Sequence, residues 1–142
     1  MKGVKGVLNY IFVDGLSGMA LGLFATLIIG TILEQIGGFI TGITGTYIIL
    51  VASVAKSLTG AGIGVGMAFK YKMSPLVGVS AAVAGMVGAF ASKLIAGAVI
   101  TDAGMLYSGP GDPLAAFIAA FFAIQAGSLI SGKTKLDILL TP

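Results

Sequence analysis

The chain has 142 residues, of which 57% are hydrophobic and 9% charged, with a formal net charge of +3 and a mean hydropathy of +1.09. A soluble domain needs about a quarter of its residues charged to cover its surface, so this composition excludes a soluble globular protein and makes lipid the main solvent. The absence of histidine, cysteine, arginine and tryptophan excludes disulfides, thiolate chemistry, His or Cys metal sites and His-based catalysis, and no cofactor is implied.

Residues 1–14 carry Lys2 and Lys5 and look like the start of a signal peptide. The apolar run that follows is too long for one, and no A-x-A site closes it, so a retained first helix is expected. Crossing the hydrocarbon core takes about 20 apolar residues in a helix. Residues 15–33 and 37–55 are uncharged, lying between Asp14 and Glu34 and ending at Lys56. Residues 75–100 are interrupted by Lys93, and residues 114–131 end just before Lys133.

Between the second and third of these lies a shorter apolar piece, residues 57–69, with Gly60, Gly62, Gly64 and Gly66 in the string SLTGAGIGVG. Alternate glycines weaken a helix by roughly 1 kcal/mol each. The segment therefore reads as poor helix, broken or re-entrant, and either lines a watery pathway or is buried among helices; a tight interfacial hairpin is the plain alternative. The loop 101–113 holds Asp102, Asp112, Pro110 and Pro113, and its GPGDP turn starts the last helix. The fold expected is all-α: a polytopic integral membrane helix bundle of about four transmembrane helices plus the glycine-rich segment, forming one transmembrane domain over residues 1–142.

Lysine placement sets the expected topology. With the N-terminus cytoplasmic, the first helix leaves at Glu34, the second returns at Lys56, and Lys70, Lys72, Lys133 and Lys135 all fall inside, with Asp102 and Asp112 outside. Both termini are then cytoplasmic. The net positive charge reflects this orientation rather than a nucleic-acid partner.

Small residues recur every four positions: Gly18, Gly22, Thr26 and Gly30; Ala81, Gly85, Ala89 and Gly97, beside Ser80, Ala84, Gly88, Ser92 and Ala96; Ala115, Ala119, Ala123, Gly127 and Ser131. Lipid offers no hydrophobic drive for association, so such stripes mark helix–helix contacts. Their number exceeds what four helices need, which leads to an expected homo-oligomer or second-half chain. Val79, Val83, Met86, Val87, Phe90 and Leu94 fall on the opposite face and should meet lipid or looser neighbours. Lys93 continues the small-residue stripe and is expected on the packed side. As an ionisable residue within a span it is a candidate pathway residue, with snorkelling as the alternative and Asp102 or Glu34 as its partner. Lys56 reads as an interfacial anchor and Asp14 as a helix cap. Gln125 is either interhelical glue or a hydrogen-bonder for a polar solute. The candidate pathway set is Thr59, Gly60, Gly62, Gly64, Gly66, Lys93 and Gln125. No general acid–base pair, nucleotide loop or metal cluster is present.

The strings DGLSGMALGLFATLIIGTIL (14–33), SLTGAGIGVG (57–66), SPLVGVSAAVAGMVGAFASK (74–93), GPGDPLAAFIAA (109–120) and SGKTKLDILLTP (131–142) resemble the bacterial phosphotransferase-system IIC-like family that includes perfringolysin O regulator-like proteins. The resemblance covers essentially the whole chain and corresponds to the N-terminal half of longer family permeases. It implies a permease of the bacterial inner membrane moving a sugar or similar small polar solute. Separate IIA and IIB subunits would act as phosphoryl carriers, since a chain without His or Cys cannot carry the phosphoryl group. A membrane regulator or sensor, and an ion channel or ion-coupled carrier, are the competing functions.

Overall fold

The computed structural model describes residues 2–105 and 109–133. Lys135 and Asp137, and with them most of the C-terminal string, lie outside the described residues. The first element, α1 (Gly3–Phe39), is a continuous helix of 37 residues, about 55 Å long at 1.5 Å per residue. Two of its stretches, Asn9–Gly15 and Phe24–Ile28, are π-helical. Beside them Ser17 and Thr26 return their hydroxyls to carbonyls one turn back, Val13 O at 2.5 Å and Gly22 O at 2.7 Å, a bond that loosens the local backbone ladder. Asp14 lies inside the first π-helical stretch and is not the cap expected of it, because the helix begins well before it.

The chain turns over residues 40–42, where Gly42 takes a left-handed φ of 87° that glycine adopts without steric cost. Helix α2 (Ile43–Ser57) follows, then α3 (Thr59–Lys70), and the two meet at a 52° bend at Leu58. A bend of less than a right angle keeps the chain advancing in one general direction, and the two helices together are long and apolar enough for a broken span or a re-entrant segment. Helix α4 (Pro75–Ala89) starts with Pro75 in its first turn and Ser74 as its cap. A one-turn helix, α5 (Ala91–Ile95), follows the break at Phe90. The antiparallel ribbon of β1 (Ile100–Thr101) and β2 (Gly104–Met105) comes next. Asp112 then caps α6 (Pro113–Ile130), accepting from the amides of Leu114 and Ala115 at 2.9 and 3.2 Å, as the GPGDP turn led one to expect.

With the bent pair α2–α3 taken together, the long helices alternate in direction. α3 runs down α1, with Gly62 against Gly22 and Gly66 against Gly18, while α2 meets α1 higher up, where Ala52 and Lys56 face Gly30. α4 runs back along α3, and α6 back along α4, with Ala115 and Ala119 against Gly88. Among the described residues, α1 and α6 are each long and apolar enough to cross a membrane, and the bent pair α2–α3 makes a third crossing if counted as one span; α4 is a shorter apolar helix.

Helix α3 is the centre of this arrangement, packed against α1, α4 and α6. Its glycines explain how. Positions two apart on a helix point in nearly opposite directions, and positions four apart share a face. GAGIGVG is therefore two interleaved small-xxx-small pairs. Gly62 and Gly66 face α1, and Gly60 and Gly64 face Gly85 and Ala81 of α4. The expectation of a poor helix fails because α3 is regular from end to end. What glycine loses in helix propensity, about 1 kcal/mol per site, close backbone packing on two sides offsets.

The same contacts hold Gly18, Gly22, Gly30, Gly85, Gly88, Ala115 and Ala119 of the small-residue stripes within the chain, whereas Ser92, Ala96 and Gly97 lie past the break at Phe90 and are exposed. The core is built from Ile63 and Met67 of α3, Val77 and Ala81 of α4, Phe90 at the break, and Ala116, Phe117, Ala120 and Ile124 of α6. Val79, Val83 and Val87 are exposed as expected, whereas Phe90 is fully buried. The break at Phe90 (φ −106°, ψ 7°) turns the chain out of the α4 register, carrying Phe90 inward and Lys93 outward.

Candidate solute pathway

At one end of the bundle the start of α1, the turn after α3 and the end of α6 converge. Tyr71 donates to Tyr10 O at 2.7 Å, Gln125 Nε2 donates to Tyr10 Oη at 3.0 Å, and the Ser74 and Ser131 hydroxyls share a hydrogen bond at 2.9 Å. The Tyr10 and Tyr71 rings stack at 4.3 Å, with Phe121 edge-on to both. Burial, reinforced by Tyr10 and Asp14, pushes the Tyr71 hydroxyl up to about 12. It therefore stays protonated and able to donate at neutral pH. Because its folded value lies above the ordinary tyrosine value, its contribution to stability holds below pH ~10 and fades as the pH rises through the folded value. Lys5, Lys70, Lys72 and Lys133 all belong to this end, which places both ends of the described bundle together on a basic face.

Lys56 does not belong there. It stands at the far end of α3 from Lys70, and its ammonium meets Glu34 Oε2 at 2.7 Å. The expected topology put Glu34 and Lys56 on opposite sides of the membrane; an ion pair of this length places them together. Gly30 makes the approach possible, since a Cβ there would lie 2.6 Å from Lys56 Cγ. The adjoining break is closed by side chains: Thr59 Oγ1 donates to Lys56 O at 2.6 Å and Ser57 Oγ to Val54 O at 2.7 Å.

The structure thus distributes the sequence-selected residues along the bundle rather than gathering them. Thr59 is buried at the break. Gly60 and Gly64 are closed over by α4. Gly62 and Gly66 border an apolar groove of about 550 Å³ between α1 and α3, shared with Gly22, Thr26 and Phe69. Gln125 sits at the basic end, bonded to Tyr10. Lys93 lies beyond the opposite end of α4 and is exposed rather than packed, its ammonium 5.5 Å from the centroid of the Phe90 ring. Sequence reasoning missed the Glu34–Lys56 pair and the Tyr10–Tyr71–Gln125 cluster, whose members are separated by 22 to 115 positions. The local signals were a charge at Lys56 between two apolar runs and the amide of Gln125 within another. Among the described residues, no group of acidic side chains could hold a metal.

Residues 13–142 match the family described as Phosphotransferase system, EIIC. The chain belongs to that family. No curated protein and no solved structure matches it. As an EIIC-family chain with apolar helices, it is a transport-related membrane component of a phosphotransferase system. Its membership points to association with the system's IIA and IIB components. Within this EIIC chain, the 52° bend between α2 and α3 interrupts an apolar helical stretch. Helices broken at membrane depth place polar groups where an unbroken apolar helix would offer none.

Proposed function

We propose that this chain is a solute-translocating subunit that carries a sugar or similar small polar molecule across the bacterial inner membrane, with the phosphoryl group supplied by IIA and IIB partners. The observation that supports the reading is the break at Leu58, within an apolar span of an EIIC-family chain. The sequence-selected residues then mark a route. Gln125 stands at the basic end, Thr59 at the break and Lys93 at the opposite end, and Gly62 and Gly66 border the groove between α1 and α3, while Gly60 and Gly64, closed over by α4, support the route without lining it. The basic face is the cytoplasmic one on the positive-inside rule, with both termini on that side.

A second copy or a second-half chain completes the path. The reason is the hairpin of α2 and the last turns of α1, where α2 packs mainly on α1 and leaves Ile32, Ile36, Phe39, Ile43, Tyr47 and Leu50 exposed.

The test is uptake of radiolabelled hexoses, hexitols and disaccharides by cells that lack competing permeases and express the chain with the system's phosphocarriers. One of these sugars should accumulate as its phosphate ester, and accumulation should stop when the phosphocarriers are withdrawn. Uptake at the level of empty-vector cells for every sugar, or an ionic current in planar bilayers instead, overturns the reading. The mass of the purified chain in mild detergent checks the association. Lys93→Met, an exposed change, should insert normally and lower uptake several-fold; unchanged uptake removes Lys93 from the route.

A further inference from the structure

We propose that two apolar grooves flanking Phe69 hold the acyl chains of one anionic phospholipid, with its phosphate against Lys70 and Lys72. Val65 and Phe69 form a ridge on α3 and are 50% and 77% exposed. On one side of the ridge lies the groove of about 550 Å³ between α1 and α3, walled by Leu21, Ala25 and Ala61. On the other lies a groove of about 300 Å³ between α3 and α4, walled by Met73, Pro75 and Val79. Both share Val65 and Phe69 as their common wall, so they come together one residue before Lys70. Two chains joined at one headgroup need such a pair of channels. The wider groove follows α3 from Leu58 to Phe69, about 16 Å at 1.5 Å per residue. That length matches one acyl layer of a hydrocarbon core about 30 Å thick.

The lining decides what kind of molecule enters. Thr26 brings the only polar side chain to the wall of the wider groove, and its hydroxyl is already given to Gly22 O at 2.7 Å. A sugar hydroxyl would lose its water there and find no partner, whereas a methylene chain gains van der Waals contact. On the translocation reading, the lipid closes off from the bilayer the route that Gly62 and Gly66 border.

The turn after α3 selects the headgroup. Lys70 lies four positions on from Gly66 and so continues the groove face of the helix. Lys70 and Lys72 are exposed, and among the described residues neither is in an ion pair. Lys5 and Lys133 stand at the same end, with Asp14 as the opposing carboxylate. Lys72 holds a φ of 54°, the only positive φ outside glycine among the described residues. Met73 N donates to Ala68 O at 2.9 Å across it, which makes Lys72 the residue just past the helix end that is usually glycine. The lysine Cβ is crowded in that conformation, so the chain keeps a charge where glycine would fit with less strain. Basic side chains at the mouth of an apolar cleft between membrane helices attract anionic headgroups.

The experiment is native mass spectrometry of the chain released from vesicles of phosphatidylglycerol and phosphatidylcholine in equal parts. Wild type should keep phosphatidylglycerol over phosphatidylcholine by about tenfold, the preference that two lysines give an anionic headgroup. Lys70→Gln/Lys72→Gly should lose that preference. In phosphatidylcholine alone it should melt no lower than wild type, because glycine takes the Lys72 conformation freely. Ala61→Phe, which fills the wider groove, should lower retention of both lipids. Equal retention of the two lipids by wild type, or an undiminished preference in the lysine variant, overturns the proposal. A dimer that survives lipid removal and that Ala61→Phe dissociates assigns the groove to a second copy and overturns it too. Should the double variant unfold, Lys70→Gln alone decides: its preference should fall several-fold, and an unchanged one overturns the proposal. None of these measurements reads uptake, so this site can fail while the translocation reading stands.

Discussion

Gly64→Leu should leave a chain that inserts but does not hold its bundle, melting far below wild type in mild detergent or showing no cooperative transition. Gly64 lies on the α4 face of α3, and any Cβ built there falls on the Ala81 peptide. Backbone cannot rotate away as a side chain can, so α3 and α4 must separate. Overpacking a filled site costs about 1–3 kcal/mol, and here the separation also pulls α3 away from contacts it makes with α1 and α6. Gly78 is the control. The nearest atom to a Cβ at Gly78 is the Ala68 methyl at 3.8 Å, so Gly78→Ala should be tolerated and gain up to about 1 kcal/mol from better helix propensity. Circular dichroism melts of both variants check the pair. Gly64→Leu melting with wild type would remove the two-sided packing account of α3.

That account also shows where sequence alone stops. Glycine at alternate positions looks like helix-breaking composition because propensity is a local quantity. The reason for these glycines is tertiary: two neighbours, one on each side, each needing its own i, i+4 pair. The stripes of α1, α4 and α6 were legible because one neighbour per face produces the simple four-residue repeat. Pro75 and the Asp112–Pro113 pair were legible for a similar reason, since caps act within one turn of the residues that signal them.

The candidate site was less legible. Glu34 and Lys56 look like span ends when each apolar run is counted as its own crossing, whereas the structure continues α2 into α3 through the bend at Leu58 and pairs Lys56 with Glu34 beside it. Gln125 could be recognised as an amide in apolar surroundings. Nothing local announces that its partner is Tyr10, 115 positions away. Lys93 was placed on the packed side by extending a periodic pattern across Phe90, and a periodic argument holds only while the helix does.

Phe90 gives that last point a measurable consequence. Periodicity assigns it to the same face as Val83 and Val87, whereas the structure buries it completely in the core cluster while Val83 remains 61% exposed. In lipid the transfer part of a large-to-small substitution largely falls away, because the tails are as apolar as the core. The cavity part remains, since lost van der Waals partners are not replaced in a closed space. Phe90→Ala should therefore cost about 3 kcal/mol, the low end of the range for buried aromatic truncations. Val83→Ala, which opens no internal cavity, should change stability by less than about 0.5 kcal/mol. Reversible unfolding in mixed micelles, read by circular dichroism, compares the two directly. Equal small effects would return Phe90 to the lipid face and the unbroken α4 helix with it. A large loss at Phe90 alone would confirm that the chain leaves the α4 register there, the same turn that carries Lys93 outward.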